Sequence, residues 1–318
     1  MKSLKPIIFL LFIAVGCSSP EENNYNEYQG VWKRIGTIKY ENQVAVDTFF
    51  FPEGKVFDWS KMRKNQIEAI PGGRYKIYGD GHSIWFYSRV KKRKDSLNNV
   101  TEVNQEMFAK TTYFIKNDSL FETFKFWGDP WQKGSQSASI NSMKSKVHYR
   151  AKVDIDGDIY SQYRLSADGS ISYGELYKRI DTYNVSPTSL TGVWNRHSTI
   201  PIRGGERKDS IKFESKDMSS VGSSLIFGDT MRIWAFNREV LDSLGNDIYA
   251  GAALVTSYSI NNDSINDNLI YSTLSSRRNW KSYNNNRTRK MVLDGNLLSI
   301  ELLSKNRERG QISIFEKQ

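Results

Sequence analysis

At 318 residues the chain is longer than one ordinary domain, and 38% apolar content with 13% aromatics excludes an intrinsically disordered polymer. One cysteine excludes an internal disulfide framework, and three histidines, none with a second at ligand spacing, argue against a His or Cys metal site. A formal charge of +10 favours anionic partners.

Lys2 and Lys5 precede Ile7 to Val15, a run without a polar side chain, and Ala14-Val15-Gly16 places small residues before Cys17. This is the layout of a secretory signal, with only about half of the ~20 apolar residues a spanning helix needs. The segment resembles a bacterial lipoprotein signal, in which a lipobox ends in the acylated cysteine. The resemblance implies that residues 1–16 form the signal peptide and that Cys17 carries the lipid, with palmitate-type chains anchoring the protein in a membrane. Ala14 stands where leucine is usual, and the same residues also suit an ordinary signal peptidase. Residues 17–26 are polar and read as the lipidated linker. Glu21 and Glu22 are similar to the surface-export tags of lipoproteins in Bacteroidota, so the expected address is the outer membrane, with cell surface and periplasmic face both open. Export argues against nucleic acid as a partner.

The remainder is a repeat. Gly30-Val31-Trp32-Lys33-Arg34 matches Gly192-Val193-Trp194-Asn195-Arg196 at an offset of 162. Ile84-Trp85 matches Ile233-Trp234 at 149, and the segment from Tyr113 matches that from Tyr258 at 145. Asp156-Gly157 and Leu176 to Arg179 match Asp294-Gly295 and Ile314 to Lys317 at 138. Offsets that shrink in chain order mean one module with shorter loops in its second copy. The domains are therefore 27–182 and 189–318, joined by a segment around Pro187 with linker composition.

Within each copy, period-two alternation predicts strands. Leu298, Ile300 and Leu302 share one face, and Ile211 and Phe213 are expected to do the same. Turn dipeptides such as Asn117-Asp118, Asp156-Gly157, Asp168-Gly169, Asn262-Asp263 and Asp294-Gly295 predict hairpins. The fold class is all-β: two tandem antiparallel up-and-down barrels, closed so that no edges are left exposed.

Gly30-Val31-Trp32 and Gly192-Val193-Trp194 resemble the Gly-x-Trp signature of lipocalins, and Tyr177-Lys178-Arg179 and Phe315-Glu316-Lys317 resemble the aromatic-x-basic ending of their last strand. The pattern is similar to the lipocalin-like (calycin) lipoproteins of Bacteroidota. It implies barrel closure by Arg179 across Trp32 and by Lys317 across Trp194, with lysine keeping the charge but loosening the stacking.

No phosphate loop, nucleophile elbow or His-Glu-x-x-His is present, and no cofactor or metal is expected. The "DIDGDI" stretch at 154–159 has its glycine fourth and Leu165 at the twelfth position, so it reads as a hairpin and not as a calcium loop. Basic runs at Lys91 to Lys94, Arg277-Arg278 and Arg287 to Lys290 read as solvated loops, or as contacts to anionic glycan or lipid headgroups. Candidate ligand-binding residues are Trp85, Tyr87, Phe124, Phe126, Trp127 and Trp131 in the first copy and Trp234, Phe236 and Trp280 in the second, each of which would otherwise serve as core. Trp127 and Trp131 flank a Gly-Asp-Pro turn that could stack a sugar or cover an apolar ligand. The expected protein is a non-enzymatic, lipid-anchored outer-membrane binding protein for small apolar or glycan ligands. The alternative is an envelope scaffolding lipoprotein whose barrels are filled by side chains.

Overall fold

A computed structural model describes residues 26–42, 44–57, 69–94, 96–128, 148–163, 171, 173–212, 222–241, 247–272, 286–304 and 306–318. A short 3-10 turn, Asn26–Tyr28, leads into the first sheet. Its strands are β1 (Gly30–Glu41), β2 (Val44–Phe50), β3 (Lys55–Phe57), β4 (Ala69–Gly79), β5 (His82–Lys94), β6 (Val100–Lys116), β7 (Ser119–Gly128), β8 (His148–Asp156), β9 (Ile159–Tyr163) and β10 (Tyr173–Asp181). The strands from β4 to β10 pair in sequence order, and β1 closes the ring by pairing with both β10 and β4. This is a closed eight-stranded antiparallel barrel. Beyond Lys33, β1 parts from β4; β2 then pairs with β1, while β3 pairs with β4.

The second sheet comprises β11 (Gly192–Arg203), β12 (Glu206–Arg207), β13 (Ile211–Lys212), β14 (Gly222–Phe227), β15 (Met231–Leu241), β16 (Asp247–Asn261), β17 (Ser264–Ser272), β18 (Asn286–Asp294), β19 (Leu297–Leu303) and β20 (Arg309–Lys317). The run from β14 to β20 is closed by β11, giving a second eight-stranded barrel of the same up-and-down order. Ile211 is 53% exposed on the short strand β13, so it does not share the buried face its alternation suggests: β13 pairs only with β11, at Ser198 and Thr199. Phe213 lies outside the described residues, as does Asp168-Gly169.

Hairpin chemistry sets the two ends of each barrel. At one end of the first barrel the turns are Asp80-Gly81, Asn117-Asp118 and Gly157-Asp158, and five of these six residues have positive φ, as two-residue β-hairpins require. The opposite end carries the longer connections 95–99, 129–147 and 164–172. The second barrel repeats this, with Asn262-Asp263 and Gly295-Asn296 against 242–246, 273–285 and 304–308. Each barrel thus has a tight end and a long-looped end.

The barrels share a third core between them. Alternation sends Tyr75, Ile77, Ile84, Phe86 and Phe108 outward from the first barrel, and Val193, Ile226, Ile233 and Val255 outward from the second, into one buried cluster. Phe86 stacks on Tyr75 at 5.4 Å and on Tyr271 of the other barrel at 5.4 Å. The seam explains the continuous apolar runs Ile84-Trp85-Phe86 and Leu225-Ile226-Phe227, because strands covered on both faces lose alternation.

The joint is strapped to both barrels. Asp229, in the β14–β15 turn, accepts hydrogen bonds from the amides of Asn184, Val185 and Ser186 at 2.8 to 3.0 Å and from the Thr182 hydroxyl at 2.7 Å. Asp181 accepts from the amides of Thr230 and Met231. Tyr183 donates to Asp80 and lies on Gly79, where a Cβ would come within 2.3 Å of its ring. Only glycine permits that approach.

Lys110 crosses the seam, donating to Asn195 Oδ1 and, at 3.0 Å, to Ser224 Oγ. Burial, with a smaller contribution from Lys125, pulls its pKa down from 10.5 to about 7. Between those values the unfolded chain holds a proton that the folded one has released, so stability rises with pH. We expect the stability advantage of Lys110→Met to be largest at and below pH 7 and to shrink toward pH 10. Urea midpoints across that range check this, and parallel curves for parent and variant would refute it.

Candidate functional site

The closed ends are built alike. Gly30 and Gly192 have φ of +132° and +139°, and a Cβ at Gly192 would lie 2.6 Å from Lys317 Cε. The missing side chain lets the terminal cation reach the indole. Arg179 lies 4.4 Å from the centroid of Trp32, and Lys317 lies 5.5 Å from that of Trp194. Each indole N–H donates to a backbone carbonyl four residues earlier, Tyr28 at 2.8 Å and Leu190 at 2.7 Å. Arg179 also donates to the carbonyls of Gln29 and Glu27 at 2.8 Å, bonds that need a guanidinium fork. These four residues close the barrels, and Trp32 meets Tyr160 of the first interior edge-on at 5.2 Å.

Above the plug, the copies diverge. Strand register aligns Lys76, Tyr160, Gln162 and Tyr177 of the first barrel with Leu225, Leu298, Ile300 and Phe315 of the second. In the second barrel this layer is apolar, each residue at most 3% exposed, and is filled by its own side chains. In the first barrel the Lys76 ammonium donates to Tyr160 at 3.0 Å, to Tyr78 at 3.3 Å and to Gln162, with the Tyr177 ring 4.9 Å away. Burial lowers the Lys76 pKa to about 8 and pushes those of Tyr78, Tyr160 and Tyr177 well up.

One layer further toward the long-looped end, Arg34 and Arg74 converge on Glu175 Oε1, Arg34 at 3.4 Å. The other carboxylate oxygen accepts from Tyr177 at 2.7 Å. Burial alone would push the Glu175 pKa up; Arg74, then Arg34 and Lys76, outweigh it and hold the carboxyl at about 2. The second copy has Ser223 in place of Arg74 and Ser313 in place of Glu175, and Arg196, the counterpart of Arg34, donates to Ser313 at 3.0 Å.

The aromatic candidates flank this group. Trp85 is 8% exposed, has the Arg74 guanidinium 5.7 Å from its ring, and takes the edge of Phe124 at 6.1 Å. Tyr87 lies 5.9 Å from Arg74 and 5.8 Å from Arg89, and donates to Met107 Sδ at 3.0 Å. The structure therefore brings Trp85 and Tyr87 together at Arg74, with Phe124 against Trp85. Phe126 and Trp127 belong to β7, where Trp127 pairs with Ala109, itself paired with Trp85; their side chains lie outside the described set. Trp131, Trp280 and Cys17 lie outside the described residues altogether. In the second barrel Trp234 and Phe236 are 5.1 Å apart, and the Trp234 indole donates to Ser223.

Arg34 belongs to the repeated Gly-Val-Trp-x-Arg stretch, whereas Arg74, Lys76 and Glu175 carry no sequence motif. Their one signal is position: alternation from Tyr78 places Lys76 and Arg74 on the inward face of β4. Similarly, Arg289 within the basic run 287–290 is not a solvated loop residue. It lies on β18 and pairs with the buried Asp267, which Arg232 also grips at 2.8 and 2.9 Å. Lys91 to Lys94 end β5, and Arg277-Arg278 lie outside the described residues. Among the described residues no group of three metal-ligating side chains occurs, and no helix is long and apolar enough to cross a membrane.

Two closed eight-stranded antiparallel barrels that differ in the layer above the plug, apolar in the second and polar in the first, define the protein's class by geometry. No family model and no curated protein matches the sequence. Among solved structures the chain is similar to a lipocalin-like protein from Bacteroides uniformis ATCC 8492, at 18% identity over 41% of this chain and all of that one, with a TM-score of 0.25. It is also similar to an uncharacterized protein from Bacteroides eggerthii DSM 20697, at 16% identity over 41% of this chain and all of that one, with a TM-score of 0.23.

Proposed function

We propose that the chain is a non-enzymatic, lipocalin-like binding protein held to the outer membrane through Cys17, with the first barrel as ligand chamber and the second as its buttress. The observation that carries this is the asymmetry of the interiors. An apolar layer of Leu225, Leu298, Ile300 and Phe315 fills the second barrel where the first holds Lys76, Tyr160, Gln162 and Tyr177. Buried charges cost stability relative to apolar packing, and in this layer the first copy alone retains one, which supports a ligand there. Trp85, Tyr87 and Phe124 offer the rings that a small apolar or glycan ligand would contact. Catalysis finds little support: burial holds the tyrosines around Lys76 protonated and seals that group from solvent. The scaffolding alternative draws its support from the filled second barrel.

Titration with the uncharged fluorophore N-phenyl-1-naphthylamine tests the reading. We expect one site per chain, weakened about tenfold by Trp85→Ala and unchanged by Trp234→Ala, tenfold being ~1.4 kcal/mol of lost contact. Absence of binding, or equal sensitivity to both substitutions, would favour the scaffold. Mass spectrometry of the mature amino terminus tests the anchor separately.

A further inference from the structure

We infer that the hairpin joining β5 and β6 is a docking element for an anionic lipid surface, which Lys91 to Lys94 attract and Leu97 and Val100 enter. Such docking is independent of the chamber. Strand β5 pairs with β4 only as far as Arg89, and β6 pairs with β7 only from Phe108. Beyond those points Val90 to Lys94 pair with Asn104 to Val100 and, among the described residues, with no other strand. That is about 17 Å of two-stranded ribbon standing clear of the sheet at the long-looped end. Four consecutive cations, Lys91-Lys92-Arg93-Lys94, occupy one of its strands, against Asp95 and Glu102. The tip is apolar and wet: Leu97 is 79% exposed and Val100 57%. At the same end, where β2 begins, Val44 and Val46 are exposed as well.

Cations on a free strand edge also discourage edge-to-edge pairing, and that role alone would leave the ribbon solvated. The second copy shows that the role does not require them. There β15 pairs with β14 only as far as Asn237 and β16 pairs with β17 only from Leu254, so that Arg238 to Leu241 and Ala250 to Asp247 form a matching ribbon. It has the same free edges but one cation, Arg238, against Glu239 and Asp247. The basic run belongs to the first ribbon alone. An apolar tip above a basic stem has the chemistry of an interfacial membrane contact: the tip enters the headgroup boundary, and each Lys or Arg near the surface adds attraction to anionic lipid. An acidic polymer in solution would be drawn by the same cations, but it gives Leu97 and Val100 nothing to enter. The amino-terminal turn packs at the tight end, where Arg179 holds the carbonyls of Glu27 and Gln29. Contact through the ribbon is therefore additional to any tether through Cys17.

The test is flotation of the purified full chain, carrying Cys17→Ser so that no acyl group can hold it, with vesicles of phosphatidylcholine alone or mixed two to one with phosphatidylglycerol. In dilute buffer the mixed vesicles should bind at least about tenfold more tightly, and high salt should remove the difference. Lys92→Gln combined with Lys94→Gln should weaken binding to the mixed vesicles about thirtyfold and leave phosphatidylcholine unchanged. Leu97→Ser should weaken binding to the mixed vesicles about tenfold. Arg238→Gln, on the second ribbon, should change nothing. Equal binding to both kinds of vesicle, or binding to neither, overturns the inference. Sensitivity to the lysine substitutions with none to Leu97→Ser would mean a contact of charge alone, as with an acidic polymer, and overturns the lipid surface. Weakening by Arg238→Gln as large as that by the lysine substitutions overturns the assignment to the first ribbon.

Discussion

Replacing Glu175 with alanine should destabilise the folded chain by about 3–5 kcal/mol, the cost of leaving one side of a buried ion pair unpaired. Arg34 and Arg74 both converge on one oxygen of this carboxylate, and its side chain is 11% exposed, so water cannot take over the role in place. With both guanidiniums left facing each other, the melting temperature should fall on the order of 10 °C. The pH dependence separates loss of charge from loss of packing. The folded-state pKa of Glu175 lies below its ordinary value, so its contribution is fully present above pH 4.5 and disappears as pH falls toward about 2. The parent should therefore lose stability through that window while Glu175→Ala, already without it, shows a flatter acid limb. A variant that melts within 2 °C of the parent, or one with the same acid slope, would show that the arginines find other partners.

Phe86→Ala should cost a similar 3–5 kcal/mol, although Phe86 lies inside neither barrel. It is fully buried in the seam, stacked on Tyr75 of its own barrel and on Tyr271 of the other. Truncation leaves a cavity between two rigid sheets, whose strands cannot collapse into it without breaking ladder hydrogen bonds. Because the seam couples the barrels, the substitution should also split one cooperative urea transition, followed by tryptophan emission, into two. A cost below 1 kcal/mol with a single unchanged transition would show that the barrels do not depend on each other.

The architecture was legible because it depends on local chemistry. Asn117-Asp118 and Asn262 adopt the positive φ that two-residue hairpins require, and Leu298 and Ile300 alternate inward on β19. The seam was hidden for a reason that the same rule supplies. Ile84-Trp85-Phe86 is apolar on both faces because one residue of each pair faces the other barrel, and a sequence does not state what lies outside a strand. The charged group was hidden more deeply. Arg74, Lys76 and Glu175 occupy inward positions, but alternation assigns charged residues to the wet face, and only register across β1, β4 and β10 shows them converging. The aromatics Trp85, Tyr87 and Phe124 could be read as a set; that the first two flank a guanidinium could not.

The shared core between the barrels also constrains the history of the chain. A duplicated module begins with two copies able to stand alone, each with a wet exterior. Once Ile77, Phe86 and Ile233 became greasy on the outside, neither half could be deleted without presenting the other's bare flank to water, where it would stick to its own kind. The doubling is in that sense a ratchet: neither half can be shed, because each keeps the other's flank dry.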